Sequence, residues 1–130
     1  MAYNTPLTST TKYGVVKVGS GISVTNGVIS VQPNTQVNTV VVADADSPYA
    51  VAADDYYIGC AGAGAGITID LPTATDGRML VIKSEAGQTS DITIVPDGTD
   101  TIENGASYTI VAATDGSTTL VFRDTNWNVV

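Results

Sequence analysis

The chain has 130 residues, 43% of them hydrophobic and only 14% charged, with a formal net charge of -8 and no histidine. That length holds one compact domain plus an arm, and excludes a second full domain. Nucleic acid and anionic membrane are not expected partners, because the basic residues Lys12, Lys17, Arg78, Lys83 and Arg123 stand singly and build no stripe for a phosphate backbone.

Taken in chain order, the first segment, 1–36, reads as an extended β-meander arm and linker. A polar Thr/Ser tract leads into KYGVVKVGSGISVTNGVISV, where residues 15–18, 22–24 and 28–31 form three short expected strands. Gly19, Ser20 and Gly21 make the first turn and Asn26-Gly27 the second. Asn-Gly between apolar runs is the strongest short-range hairpin signal, because the matching turn needs positive φ at both central residues. Strands this short bury no core of their own. The arm must therefore pack on the C-terminal domain, on the same segment of sibling chains, or on another protein, and the linker Pro33, Asn34, Thr35, Gln36 favours the last two. The expected partner-binding residues are Tyr13, Val15, Val16, Val18, Ile22, Val24, Val28, Ile29 and Val31, with Tyr13 the preferred anchor.

From 37 to 130 the chain keeps a strand rhythm: VNTVVVADA, PYAVAADDYYIGC, GITIDLP, RMLVIKS, DITIVPDG, TIENG, SYTIVAA, TTLVFRD and NWNVV. Apolar and polar residues alternate, with Gly, Pro, Asn or Asp every few residues, which predicts nine or ten short strands in all and almost no helix. Alternation turns Ile67, Ile69, Leu71, Leu80, Ile82, Ile92, Ile94, Ile110, Leu120, Phe122 and Trp127 inward. The expected fold is all-β, the arm being followed by one antiparallel β-sandwich with a jelly-roll-like core. Pro72 and Pro96 should close their strands, since proline has no ladder N–H.

Chemistry has little to work with. Cys60 is the single cysteine, so there is no intramolecular disulfide and no Cys/His zinc set, and without histidine the usual base for a nucleophilic Ser, Cys or Thr is missing. Asp76-Gly77, Asp97-Gly98 and Asp115-Gly116 read as turn pairs rather than as a catalytic carboxylate pair. Asp44 and Asp46, joined by Asp54 and Asp55, are hard oxygen donors of the kind that hold Ca²⁺, but the Gly and Glu of an EF-hand loop are absent and solvated loops account for them better. The tract GCAGAGAG, residues 59–66, lacks the Lys-Ser/Thr of a P-loop and reads as a flexible connection or a place of close backbone approach between subunits. Cys60 beside it reads as a buried small residue. Tyr3, Tyr13, Tyr49, Tyr56 and Tyr57 are candidate interface anchors. No cofactor, metal or catalytic residue is expected. With neither a basic-apolar leader at residues 1–11 nor a run of ~20 apolar residues, the protein is expected to be made and used in the cytosol, or released with a particle by lysis.

KYGVVKVGSGISVTNGVISV resembles the short β segments that recur in tail fibres and head fibres of tailed phages. The later part, with DYYIG, ITIDLPTATDGRMLVIKSEAG, DITIVPDGTDTIENGASYTI and TTLVFRDTNWNVV in that order, resembles a β domain of phage fibre and decoration proteins. Together these cover most of the chain. The resemblance implies a virion protein, a homotrimer whose N-terminal part docks on the particle, through the major capsid protein or another virion protein, while the C-terminal domain projects. A chain this short, with one arm segment and no repeated shaft, fits capsid decoration or a head fibre first. A short tail fibre or receptor-binding protein contacting host glycans comes second. A polysaccharide-degrading enzyme is the third reading, which a parallel β-helix would favour and a sandwich would not.

Overall fold

The computed structural model describes residues 22–25, 28–31, 36–112 and 116–130, and the chain divides into two compact units, Met1–Thr35 and Gln36–Val130. Tyr3, Tyr13, Val15, Val16 and Val18, with the expected strand 15–18 and the Asp115 turn, lie outside the described residues.

In the first unit, β1 (Ile22–Thr25) pairs antiparallel with β2 (Val28–Val31), Thr25 opposite Val28 and Ile22 opposite Val31. Two residues, Asn26 and Gly27, connect them, the loop length for which an Asn-Gly pair is suited.

The second unit is all-β apart from one 3-10 turn at Asp44–Asp46. Its strands are β3 (Asn38–Val42), β4 (Tyr49–Ala50), β5 (Asp55–Cys60), β6 (Ile67–Asp70), β7 (Met79–Ser84), β8 (Ile92–Val95), β9 (Thr101–Ile102), β10 (Tyr108–Ile110), β11 (Ser117–Arg123) and β12 (Asn126–Val129). From β3 to β11 they alternate between two sheets, and β12 follows β11 in the same sheet. One has the order β3-β5-β7-β11-β12-β9 and the other β10-β8-β6-β4. The pairs β3/β5, β5/β7, β4/β6 and β6/β8 are all parallel. From β5 to β8 each strand thus lies beside and parallel to the strand two places earlier, and the chain winds as a short two-sheeted β-solenoid, with β9 pairing parallel to β12 at the far edge of the larger sheet.

This corrects the expectation of an antiparallel, jelly-roll-like sandwich. Two facing sheets are present, but their first strands are joined by crossovers through the opposite sheet, as parallel neighbours require. Alternation in a strand specifies which face is buried and is silent on the direction of the neighbour. Among the strands of the second unit, antiparallel pairing occurs between β10 and β8, β11 and β7, and β12 and β11.

The coils stack like on like. Ile67 lies beside Ile92, Ile69 beside Ile94 and Ile58 beside Ile82, and all six side chains are fully buried. Every residue expected to face inward does so, with Val42, Val51, Ile58, Cys60 and Ile102 completing the core. The ladder runs on to Leu71, whose N–H donates to the Val95 carbonyl at 2.8 Å, and stops at Pro72. Burying one such aliphatic side chain stabilises by roughly 1.5–3 kcal/mol, so the isoleucine rows dominate the unit.

At the C-terminal end, β11 and β12 are joined by Asp124 and Thr125 at φ 49° and 65°. This is the pair of left-handed residues that a two-residue hairpin of matching twist demands. The turn sets Trp127 against Phe122, ring centroids 5.2 Å apart in an edge-to-face arrangement. Opposite the isoleucine stack, Thr118 lies across from Ile82 with its hydroxyl buried and without a hydrogen-bond partner. An orphaned buried hydroxyl costs about 1–3 kcal/mol. Thr118→Val keeps the branched shape and removes that oxygen, so the variant should be more stable by about 1 kcal/mol in urea unfolding; a loss of stability would show that the hydroxyl is satisfied.

Candidate functional site

Of the residues expected to bind a partner, Ile22, Val24, Val28, Ile29 and Val31 fall in the described hairpin. Its register places the positions of Ile22, Val24, Ile29 and Val31 on one face, because Ile22 opposes Val31 and Val24 opposes Ile29. Val28 opposes Thr25 and belongs to the other face with Ser23 and Ser30. By register alone, four of these positions share one side of the hairpin and that of Val28 falls on the other.

Three of the four aspartates weighed as a cation site have separate tasks, and Asp54 is exposed. Asp55, at 3% exposure, accepts from Asn38 Nδ2 (3.0 Å) on one oxygen and from the Tyr49 hydroxyl and the Ala52 N–H (both 2.8 Å) on the other. Arg78 closes the same corner, donating to the carbonyls of Ala52 (3.2 Å) and Asp55 (2.5 Å). Asp46 accepts from the Ala43 N–H and Asp44 from the Gly64 N–H. Among the described residues, no three acidic or thiol side chains converge as a metal set.

The glycine tract is the corner of the second coil. Gly64 N–H donates to Asp44 in the coil before, while Gly62 N–H donates to Gln88 Oε1 (2.7 Å) in the coil after. Ser90 Oγ donates to the Gly64 carbonyl at 2.6 Å. A Cβ on Gly62 would collide with the Asp44 carboxylate, and one on Gly66 would stand 2.9 Å from the Asp91 carbonyl oxygen. The close backbone approach read from the sequence therefore joins successive coils of one chain. Four further acids serve similarly: Asp76 accepts from the Asp124 N–H, Asp91 from the Ala112 N–H, Glu103 from the Val129 N–H and Asp97 from the Thr73 hydroxyl.

Tyr56 and Tyr57 owe their position to a β-bulge. Asn38 opposes Asp55 but Thr39 opposes Tyr57, so Tyr56 is the extra residue and the alternation shifts there. The Tyr56 hydroxyl donates to Met79 Sδ (3.3 Å) and that of Tyr57 to Glu85 (2.8 Å), which places both rings on the outer face of the larger sheet beside exposed Met79. Tyr49 instead belongs to the Asp55 corner. Burial, reinforced by the bond to Asp55, pushes the Tyr49 hydroxyl up to about 12; the bond to Glu85 raises that of Tyr57; burial pushes the Cys60 thiol up to about 12. Cys60 is fully buried, as its composition reading implied.

Sequence reasoning missed Asp55 as a hub and missed Arg78 and Gln88. Nothing in DDYY separates Asp55 from its exposed neighbour Asp54, because the irregular pairing there depends on the register against β3, which the local sequence does not encode.

The fold and the polar corners define a class: a short parallel β-coil whose acids are largely acceptors for its own loops. No protein-family profile, curated protein or solved structure matches the chain.

Asp55→Ala should lose about 3 kcal/mol of unfolding free energy, because three donors are left without an acceptor; a loss below about 0.5 kcal/mol would remove Asp55 from the centre of the corner. A second expectation concerns alkali. The folded state holds Tyr49, Tyr57 and Cys60 protonated more firmly than the unfolded chain does, so it binds more protons at high pH. Their contribution is fully present below the ordinary values of 9.0 for the thiol and 10.0 for tyrosine, and is lost as pH rises toward 12. Urea midpoints should fall across that window, and less steeply in Tyr49→Phe; an unchanged slope in that variant would clear Tyr49.

Proposed function

We propose that the chain is a structural protein of a tailed-phage particle, a capsid decoration (cement) or head-fibre protein that assembles as a homotrimer, binds the major capsid protein or another virion protein and stabilises the shell. Assembly takes place in the bacterial cytoplasm and the protein ends on the virion. The observation that carries the reading is the presence of two dissimilar units in one chain: a coil with its own buried core, and a hairpin of two four-residue strands, too short to form a core of its own. A protein of this build stabilises its partner by burying surface between copies.

The parallel coil reopens the polysaccharide-degrading reading. The acids weigh against it, since a glycosidase needs two carboxylates free to flank a sugar bond, and Asp44, Asp46, Asp55, Asp76, Asp91 and Glu103 already hold backbone or side-chain donors. The short tail-fibre or receptor-binding reading is favoured by one specific feature, the outward rings of Tyr56 and Tyr57, which are surfaces on which a sugar face can stack.

Copy number per purified particle, measured by quantitative mass spectrometry against the major capsid protein, decides between these. Hundreds of copies support decoration, and a few tens or fewer move the protein to a tail or vertex fibre. Val16→Asp or Val18→Asp should release the protein from particles while the second unit stays folded by circular dichroism. Unchanged occupancy would sink the arm as the anchor.

A further inference from the structure

The charges of the two units are opposed. Residues 1–35 hold Lys12 and Lys17 and no acid, whereas all thirteen acids fall in 36–130 with Arg78, Lys83 and Arg123, so the net -8 divides into an arm of +2 and a body of -10. Within the body, β3 is the first strand of the larger sheet, and among the described residues it hydrogen-bonds on one side only, to β5. Its sequence NTVVV carries no charge, and Val41 is 64% exposed. Acids stand at both ends of it: Asp44 and Asp46 follow Val42, and Asp54 precedes the residue opposite Asn38. An uncharged edge strand with free N–H and C=O groups is a template for strand addition.

The arm carries the matching pattern. In KYGVVK an apolar run of four residues is bounded by Lys12 and Lys17, close in length to the five residues of β3. We infer that the segment 12–17 of a second copy of this chain adds as a strand to the open edge of β3, with its two lysines set against the aspartates at either end. Charge at both ends suits either strand direction. The apolar stretch between covers Val41, and the contact joins regions of opposite sign on two otherwise acidic molecules. Such a head-to-tail contact joins two different surfaces, so repetition closes a ring or runs on as a fibre. The inference concerns self-association in solution and stands apart from where on a particle the protein sits.

The test uses the full chain. Sedimentation velocity should show association that weakens between about 0.05 and 0.5 M salt. Lys12→Glu with Lys17→Glu should weaken it by at least about tenfold, and Val41→Lys, at an exposed site, should do the same without unfolding the body. To identify which copy supplies the strand, a chain carrying Val16→Cys is mixed with one carrying Val41→Cys, refolded together and oxidised; Cys60 is buried and stays silent. A cross-linked dimer on a non-reducing gel supports the exchange between copies. A monomeric wild-type chain at all concentrations, association indifferent to the lysine and Val41 variants, or a disulfide that forms only within a chain carrying both cysteines would each overturn it.

Discussion

Everything in the second unit depends on stacking the chain on itself in the same direction. Once β5 has run through the larger sheet and β6 through the smaller, β7 and β8 must lie on them in parallel, and the inward positions of successive coils become neighbours. Isoleucine meets isoleucine at Ile58 and Ile82, Ile67 and Ile92, and Ile69 and Ile94. A β-branched side chain with one favoured rotamer packs well above its own kind, so a row of such residues fixes the register that the hydrogen-bond ladder alone would leave free to slip.

The stacking constraint also explains the polar residues. A coil that turns a corner leaves backbone N–H groups pointing away from any strand, and each needs an acceptor. Asp44, Gln88 and Asp55 supply them from a neighbouring coil or across a corner, and the glycines at 62 and 64 let the corners come close enough for this. Acidic loop residues thus act as acceptors for the chain's own backbone, and the acidity of the protein is in part a by-product of how its corners close.

Much of this was legible in the sequence. The eleven inward positions from Ile67 to Trp127, the closing prolines and the Asn26-Gly27 hairpin all follow from alternation and turn chemistry, which are local properties. What alternation does not encode is which strand lies alongside and in which direction. The parallel coil therefore escaped, although the strand-by-strand regularity of ITID and ITIV, each followed by a proline within two residues, is its trace in the sequence. Asp55 escaped for the same kind of reason, since the bulge at Tyr56 is set by β3. On the arm, pattern alone marks the apolar residues as one partner-binding set without assigning them to faces, and the side on which each position falls comes only from the register of β1 on β2.

The late antiparallel strands have a consequence for biogenesis. The coil grows in the order of synthesis through β7 and β8, but the next neighbour of β7 in its sheet is β11, near the C-terminus. Until β11 and β12 have left the ribosome, β7 is an edge, and Leu80 and Ile82 lack the strand that will cover their flank. Contacts that span this much chain close slowly. A translating ribosome can therefore hold nearly the whole coil and still not release a sealed one, since the strand that covers the flank of β7 is among the last to emerge.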